Sequence, residues 1–332
     1  MTELVNVADR FWDRSHAHEA SQADIFYCFR LLLGRSPSPA EWPGHSMMAG
    51  EPLHAVVASY LNSLEFSLRG LGAPTPSSDV MLAELPEFRI YCDVSDPAVG
   101  RHVSAGHYEP EVAAIFRRLL KPGMGVIDIG ANIGFFSMLS ATLVGAAGFV
   151  LAVEPNPRNA KLLECSRRVN GFEHVRLAQL AAGPDTGVFA LHTSHSTGTT
   201  SEVQDGLAAM LAADTVPCVQ LDRLVPAGRC IDFIKIDVDG AEYKALLGCR
   251  ETIARDRPHI VSEFAPDMLL GISGLDGEGY LAWLGSFDYE VAVINLDGSL
   301  EQAGQDWSAV MRAYRARGTD HIDILASPRP SR

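Results

Sequence analysis

The stretch that decides the fold is VIDIGANIGFF, residues 126–136. It begins as an apolar run that one acid, Asp128, interrupts, and it then breaks at two glycines, Gly130 and Gly134. A plain turn needs one or two glycines and no acid directly before them. A buried strand that leads into a glycine-rich turn is typical of an open parallel sheet, in which ligands bind at the carboxyl ends of the strands.

The residues that follow continue this alternation of strand and helix. Four more apolar runs are predicted strands, namely FVLAVEP (149–155), VRLAQLA (175–181), FIKIDV (233–238) and HIVSEF (259–264). Helical stretches separate most of them, which predicts an α/β fold with a mostly parallel sheet covered by helices on both faces. Residues 183–230 form an insertion with a predicted hairpin, and residues 289–300 and 321–328 are predicted closing strands.

A different pattern marks the N-terminal part of the chain. Residues 20–70 place apolar side chains at helical spacings of three and four, with Ser21 as a predicted N-cap. The segment GLGAPTPSSD (70–79) has the composition of a linker. We therefore predict two domains, a small helical domain at residues 1–75 and an α/β domain at residues 76–332.

The composition excludes several classes of protein. The chain has 332 residues, of which 47% are apolar, and a formal net charge of −14. This acidity argues against a general nucleic-acid-binding protein, which usually presents a basic face. No run of about 18 apolar residues exists, so no membrane span is predicted. Six scattered cysteines without Cys-x-x-Cys spacing, and no signal-peptide pattern, predict a soluble cytoplasmic protein.

Two acids at the tips of predicted strands indicate a nucleoside ligand. Glu154 ends the second strand, 20 residues after Gly134, where an acid commonly accepts hydrogen bonds from ribose hydroxyls. The turn itself has the pattern D-x-G-x-N-x-G and lacks the G-x-G-x-x-G spacing of dinucleotide sites. Asp128 would repel a diphosphate, but it suits a cationic ligand such as S-adenosylmethionine, which has a sulfonium and an α-ammonium group.

Several segments, in this order, resemble the FkbM family of S-adenosylmethionine-dependent methyltransferases: IDIGANIG (127–134), VEPNPRNAKLLE (153–164), FIKIDVDGAEYKALLG (233–248) and RPHIVSEF (257–264). The resemblance extends over about residues 88–325. It implies a Rossmann-like class I methyltransferase fold with a mostly parallel seven-stranded sheet. It also implies an O-methyltransferase that acts on a hydroxyl of a sugar, glycolipid, polysaccharide or polyketide-like metabolite. The N-terminal FRLLLGRSPSPAEW (29–42) resembles the DUF4214 helical module.

The resemblance to the FkbM family also implies which residues bind S-adenosylmethionine. The implied residues are Glu111 towards the amino end, Asp128, Gly130, Asn132 and Gly134 along the methionine part, Glu154 at the ribose, and Pro155, Asn156 and Ala181 around the adenine. Most of them lie at the ends of predicted strands or in the turns that follow. The cofactor is therefore expected at the carboxyl edge of the sheet.

The predicted catalytic residues come from the fourth and fifth strands. Methyl transfer is an in-line displacement that depends on alignment, and an alcohol acceptor also needs a base within hydrogen-bond reach. Lys235 and Asp237 lie at the end of the fourth strand and Glu263 on the fifth, and Asp237 is the first choice for the base. His192 and His195, in a polar loop of the insertion, are alternative bases.

The same acids raise the question of a metal. Asp237, Asp239 and Glu263 offer hard oxygen ligands that could hold Mg²⁺. The favoured interpretation of Asp239, which stands where the FkbM family usually has glutamate, is a turn residue that caps the next helix, itself or through a neighbour. We therefore predict no metal ligands and leave Mg²⁺ as an alternative.

Two other classes of function stay open. An NAD-linked oxidoreductase could have the same sheet architecture, although the turn spacing disfavours it. A non-catalytic module could bind S-adenosylmethionine while the helical domain recruits a partner. The expected partners are a small-molecule or glycan acceptor and a second copy of the chain, because we expect the helical domain to form a dimer surface or part of the acceptor site.

Overall fold

The computed structural model describes residues 18–68, 79–194, 197–202 and 214–330. These residues divide into two compact units, one within Met1–Ser77 and the other within Ser78–Arg332. Apart from Asp79, the predicted linker at residues 70–79 lies outside the described residues.

The N-terminal unit is helical over its described residues. Its helices are α1 (Gln22–Leu31), α2 (Trp42–Ser46), α3 (Leu53–Leu61) and α4 (Leu64–Leu68). Ser21 caps α1 as predicted, because its hydroxyl accepts from the backbone N–H of Asp24 while the Asp24 carboxylate accepts from the backbone N–H of Ser21. Ile25, Phe29 and Tyr60 are buried between the helices.

The strands of the α/β unit are, in chain order, β1 (Val80–Glu84), β2 (Arg89–Asp93), β3 (Gly125–Ile129), β4 (Phe149–Val153), β5 (Val175–Ala178), β6 (Ala181–Ala182), β7 (Gly187–Ser194), β8 (Thr197–Glu202), β9 (Asp214–Val219), β10 (Phe233–Ile236), β11 (His259–Phe264), β12 (Tyr289–Ile294), β13 (Leu300–Gly304) and β14 (Ile322–Pro328). Its helices are α5 (Gly100–Ser104), α6 (Pro110–Leu119), α7 (Phe135–Val144), α8 (Pro157–Asn170), α9 (Glu242–Leu247), α10 (Arg250–Asp256), α11 (Pro266–Ser273), α12 (Gly277–Gly285) and α13 (Trp307–Arg317).

The main sheet has eight strands in the order β13-β12-β14-β11-β10-β3-β4-β5. The neighbours from β11 to β5 pair in parallel, and β14 is antiparallel to both β11 and β12. The predicted α/β class with a mostly parallel sheet is confirmed, and the topology is Rossmann-like. The order reverses between β3 and β10, since the chain builds outward from β3 to β5 and then returns to β10 on the other side.

The number of strands differs from the predicted seven. After β12 the chain turns through Asn295 and Gly298 and returns as β13, which pairs antiparallel with β12 at the sheet edge. Gly298 has a φ of 76°, which a glycine adopts without steric cost. The segment predicted as a single closing strand at residues 289–300 is therefore the first half of a hairpin.

Helices cover both faces of the main sheet. One buried cluster contains apolar residues of α6 and α7, among them Val112, Phe116 and Met138. A second cluster contains residues of α9, α10 and α12, among them Leu246 and Tyr280. Strands buried on both faces need the continuous apolar runs seen at β3, where all five residues are buried.

The insertion after β5 forms a separate four-stranded sheet in the order β6-β9-β7-β8. The hairpin predicted at residues 187–193 is confirmed, because β7 pairs antiparallel with β8. Among the described residues, no helix combines the length and the apolar character needed to cross a bilayer.

Candidate active site

A cavity of about 300 Å³ opens at the carboxyl ends of the parallel strands. Seven of the predicted site residues line it: Gly130, Asn132, Glu154, Pro155, Ala181, Asp237 and Glu263. The other five predicted residues, Lys235, Glu111, Asp128, Gly134 and Asn156, are not in its lining. The carboxyl edge of the sheet therefore brings together acids from β4, β10 and β11, as expected for an open parallel sheet.

The glycines of the turn after β3 make room for protein atoms. Gly130 has a φ of 78° and lines the cavity, but a Cβ at this position would overlap the backbone oxygen of Asp237. Gly134 has a φ of 96° and directly precedes α7, where a Cβ would lie 2.6 Å from Cγ of Leu163. The resemblance implied that both glycines line the cofactor, whereas the atoms closest to them belong to neighbouring segments of the chain.

Asp128 lies beneath the cavity rather than in its wall. Its side chain is fully buried, and the hydroxyl of Ser137 donates a 2.6 Å hydrogen bond to Oδ2. Within the described residues, Oδ1 has no hydrogen-bond partner. Burial raises the pKa of Asp128 above its usual value. The carboxylate is thus a buried negative charge with one unsatisfied oxygen directly under the glycine turn, an arrangement that favours a nearby cation or donor.

Glu154 joins the tip of β4 to the glycine turn. Its Oε2 accepts a 2.7 Å hydrogen bond from the backbone N–H of Asn132, and its Oε1 accepts a 2.8 Å bond from that of Asn156. Burial raises the pKa of Glu154 to about 7 despite these bonds. Each carboxylate oxygen keeps acceptor capacity for a further donor, such as a sugar hydroxyl in the cavity. Asn156 itself caps α8 by accepting from the backbone N–H of Arg158.

Lys235, Asp237 and Glu263 form a connected group at the other end of the cavity. Nζ of Lys235 lies 2.9 Å from Oδ2 of Asp237, and the lysine side chain is 5% exposed. Burial alone would raise the pKa of Asp237, but Lys235 and a hydrogen bond from Glu263 hold it below its usual value. Burial and the Asp237 charge raise the pKa of Glu263 to about 11, so Glu263 is the protonated partner. Lys235 is therefore a counter-ion beneath the cavity wall.

The structure places Glu109, and not the predicted Glu111, in the cavity wall. Glu111 lies in the first turn of α6, whereas Glu109 precedes that helix in a left-handed conformation with a φ of 39°. Burial raises the pKa of Glu109 to about 8. Tyr108, also in the wall, packs edge-to-face on Phe135 with ring centroids 5.2 Å apart. The sequence shows Tyr108 and Glu109 next to each other, but it does not show which side chains of this segment face the cavity.

Backbone strain is concentrated at this cavity. The described residues include five non-glycine residues with positive φ: Glu109, Asn132, Asp239, Arg257 and Asp288. Three of them, Glu109, Asn132 and Asp239, line the cavity. Such conformations cost about 1–3 kcal/mol each and persist where the surroundings fix them, which is common at functional sites.

The turn between β10 and α9 is held by a buried acid. Oε1 of Glu242 accepts hydrogen bonds of 3.1 Å from the backbone N–H groups of Val238 and Gly240. Asp239, in this turn, lines the cavity, and the capping predicted for it or a neighbour is not observed, because the N-cap of α9 is Ala241 and no side chain caps this helix. In the described part of the chain, no group of three or more His, Cys, Asp or Glu side chains is placed to hold a metal ion.

One histidine in the cavity wall was not predicted. His321 lies just before β14 and lines the cavity close to Asp237, Asp239 and Asp323. Nothing in the local sequence marks it, because its position depends on the pairing of β14 with β11. Of the alternative bases, His195 is outside the described residues, and His192 lies on β7 with its side chain not described.

Comparison with known proteins finds methyltransferases that are similar to the part of the chain that contains this site. Residues 128–291 match the methyltransferase FkbM domain. The chain is 28% identical over 137 residues to protein-L-isoaspartate O-methyltransferase 1 of Arabidopsis thaliana, covering 39% of this chain and 54% of that protein. It is 26% identical over 178 residues to protein-L-isoaspartate O-methyltransferase 2 of the same plant, covering 53% and 50%. The chain thus spans about half the length of these curated relatives.

Solved structures with detectable similarity are more distant. A methyltransferase FkbM from Methylobacillus flagellatus KT has 15% sequence identity and a TM-score of 0.40, covering 64% of this chain and 50% of that chain. A SAM-dependent O-methyltransferase from Thermotoga maritima has 15% identity and a TM-score of 0.36, covering 67% and 66%. The match to the methyltransferase FkbM domain, over residues 128–291, includes the turn after β3 and the acids at β4, β10 and β11.

Proposed function

We propose that this chain is an S-adenosylmethionine-dependent O-methyltransferase whose acceptor is a neutral hydroxyl of a small molecule or glycan. The FkbM domain match supports methyl transfer. One structural observation carries the proposal: acids line the cavity from Glu154 at β4 to Asp237 and Glu263 at β10 and β11, and the described residues contribute no Arg or Lys to its lining. A cavity of this charge favours a cationic ligand and disfavours a diphosphate.

The spacing of these acids fits an elongated ligand. Three strand-to-strand steps separate β4 from β11, which corresponds to about 14 Å at the usual spacing of paired strands. We assign Glu154 to the ribose hydroxyls and Asn132 and Gly130 to the middle of the ligand. Pro155 and Ala181 lie beside Glu154 in the wall and would border the adenine.

The donor, when bound, supplies an activated methyl group on a positively charged sulfur. The chain's own residues hold and orient it. The unsatisfied Oδ1 of Asp128 lies under the turn and is available to a cation above it, directly or through a water. Glu109 is at the cavity wall near Lys235 and Asp237, so the donor's charge would compensate acids that are otherwise crowded together.

The charge of the cavity also distinguishes between acceptors. The Arabidopsis relatives are, by name, O-methyltransferases of isoaspartate, whose acceptor is a carboxylate. A carboxylate acceptor would meet Asp237, Asp239 and Glu109 in this cavity, and within the described part of the chain no arginine or lysine lines it to offset their charge. A neutral hydroxyl avoids that repulsion. We therefore favour a sugar or similar alcohol, and the isoaspartyl group is the second candidate.

Titration calorimetry tests the proposal directly. S-adenosylmethionine and S-adenosylhomocysteine are expected to bind, and NAD⁺ is not. Tight NAD⁺ binding without S-adenosylmethionine binding would establish the oxidoreductase alternative instead. Transfer of labelled methyl from S-adenosylmethionine to methyl glucoside, compared with an isoaspartyl peptide, separates the two acceptor classes. Binding without transfer to any acceptor offered would favour the non-catalytic module.

We also propose that the N-terminal helical unit forms a contact between two copies of the chain. Large apolar side chains are exposed on this unit, including Tyr27, Leu31, Met47 and Leu64. Tyr27 and Leu31 are four residues apart on α1 and so share a face. Light scattering of the full chain should give twice the monomer mass, and the mass should fall to one chain in a truncated protein that begins at Asp79. An unchanged mass per particle would contradict the proposal.

A further inference from the structure

We infer that His321 is the general base that removes the proton from the acceptor hydroxyl, and that Asp320 orients its imidazole. The inference rests on the proposed function. It deepens that function by assigning the acceptor end of the cavity and the residue that reacts there. No residue of the segment between α13 and β14 was a predicted site residue.

The order of the strands places His321 at one end of the cavity. Glu154 follows β4, and the acids Asp237 and Glu263 lie at β10 and β11. His321 precedes β14, the next strand beyond β11, and lines the same cavity. If the ribose lies at Glu154, the transferable methyl lies towards β10. The acceptor must then approach from the side of β11 and β14, where His321 is the only histidine that the described residues contribute to the cavity lining.

The imidazole of His321 is oriented by its own turn. Its Nδ1 lies 2.9 Å from Oδ1 of Asp320, and the carboxylate can only accept, so Nδ1 carries the hydrogen. The hydroxyl of Thr319 donates a 2.5 Å hydrogen bond to the backbone oxygen of His321, which fixes the turn. Among the described residues, this Nδ1 bond is the one recorded for the ring, so the lone pair of Nε2 is available to a substrate.

Carboxyl groups surround His321 from the neighbouring elements of the cavity. Asp320 lies on the same turn, Asp237 and Asp239 face it from the turn after β10, and Asp323 faces it from β14. Glu263 on β11 is opposite Asp323 in the strand pairing and is held protonated.

The predicted base, Asp237, is less available for this role. One of its oxygens is paired with Lys235, and it also accepts a hydrogen bond from Glu263. A carboxylate engaged in this way is a weak proton acceptor. Asp237 is better placed to hold the group together and to attract the positive donor.

The proposed step balances in atoms and charge. The acceptor O–H bond breaks and its proton moves to Nε2 of His321. The acceptor oxygen forms a bond to the methyl carbon while the carbon–sulfur bond breaks, and that electron pair stays on sulfur. The products are a methyl ether, S-adenosylhomocysteine and an imidazolium, which then loses its proton to solvent.

A reactive donor analogue tests this position without knowledge of the natural acceptor. In the analogue, an aziridinium ring replaces the methylsulfonium centre of S-adenosylmethionine. The full chain is incubated with it in the absence of any acceptor, and the modified peptide is identified by mass spectrometry. Nε2 of His321 is expected to open the ring, forming a nitrogen–carbon bond while the ring nitrogen takes the electron pair. S-adenosylhomocysteine should protect the site.

Two variants sharpen the test. His321→Gln should abolish the labelling while its affinity for S-adenosylhomocysteine stays that of the natural chain. His107→Gln is the matched control, because Nδ1 of His107 also has a hydrogen bond, 2.6 Å to the backbone oxygen of Ala105, but His107 does not line the cavity. Labelling should persist in this variant.

The outcomes separate this inference from the proposed function. Labelling of Glu109, Asp237 or another residue, or no labelling despite binding that S-adenosylhomocysteine displaces, would overturn the role of His321. Failure of both the analogue and S-adenosylhomocysteine to bind would instead overturn the proposed function.

Discussion

The ammonium of Lys235 lies 2.9 Å from the carboxylate of Asp237, and the lysine is buried among further acids at the base of the cavity. Burial alone would lower the pKa of Lys235, but the surrounding carboxylates raise it above its usual value. The surrounding carboxylates thus favour the charged form of Lys235. Its positive charge allows several carboxylates to approach each other here.

Lys235→Met should lower the free energy of unfolding by about 3 kcal/mol at pH 8, because it leaves buried acids without a counter-ion. The loss should be smaller at pH 5, since Asp237 can then take up a proton. Urea denaturation at the two pH values measures both effects. Lys161→Met, at an exposed position on α8, is the control and should change little. A loss equal to that of the control would contradict the role assigned to Lys235.

Glu154→Gln should weaken the binding of S-adenosylmethionine and S-adenosylhomocysteine by the same factor, about tenfold, because both carry the ribose. Calorimetry of the two ligands gives the ratio. Glu164→Gln is the control, since Glu164 is paired with Arg167 and Arg168 on α8 and does not line the cavity. A loss confined to S-adenosylmethionine would assign Glu154 to the sulfonium instead.

Affinity for S-adenosylmethionine should rise with pH. Burial raises the pKa of Glu109 to about 8 and that of Glu154 to about 7, so both are partly protonated near neutrality and ionise as the pH increases. A cationic donor binds the ionised forms better. Dissociation constants measured from pH 6 to pH 9 should fall across this window, and Glu109→Gln should flatten the upper part of the curve. Equal curves for the natural chain and the variant would show that Glu109 does not contribute to the pH dependence of donor binding.

The raised pKa of Glu109 has the opposite consequence for the stability of the ligand-free protein, which should fall as the pH rises. A carboxyl group whose pKa is raised on folding adds stability below its unfolded pKa, near 4.5, and this contribution is lost as the pH rises through the folded value. For Glu109 the window runs from about 4.5 to about 8. The thermal midpoint of Glu109→Gln relative to the natural chain should therefore increase over this range. A difference independent of pH would show that Glu109 is not protonated in the folded state.

Gly130→Ala should lower the free energy of unfolding far more than the same substitution at an ordinary glycine with positive φ. Its Cβ would overlap the backbone oxygen of Asp237, whereas Gly145, with a φ of 65°, has no atom within 4 Å of the added Cβ. Gly145→Ala should cost about 1 kcal/mol from backbone strain alone. Gly130→Ala should exceed this clearly in urea denaturation and should also weaken donor binding. Equal costs would mean that the turn adapts without displacing Asp237.

The parts of the site that the sequence predicted are those encoded locally. Strand β3, Asp128 and Glu154 can be recognised from one apolar run and from its distance along the chain to the next apolar run. The sequence therefore predicted the edge of the sheet at which the two acids meet. The reason for Gly130 could not be predicted, because the backbone it accommodates is more than 100 residues later in the chain. Only the parallel pairing of β3 with β10 brings them together.

Two residues of the wall escaped the sequence analysis for different physical reasons. Glu109 and Glu111 differ by two positions, and the choice depends on where α6 begins and on the left-handed backbone at Glu109. His321 depends on the antiparallel insertion of β14 between β11 and β12, a long-range event without a local pattern. The extra strand β13 was missed because a glycine turn inside a short apolar segment can equally end a strand or reverse it.

No Arg or Lys of the segments that the structure describes lines the cavity, and this has a consequence for the end of the catalytic cycle. On the proposed function, the donor arrives with one net positive charge and departs as S-adenosylhomocysteine with none. The acids that attract the positively charged donor attract the neutral product much less. Methyl transfer itself therefore removes the electrostatic attraction that retains the ligand. Product inhibition should accordingly be weak, and exchange of spent for fresh donor should become faster as the carboxylates ionise.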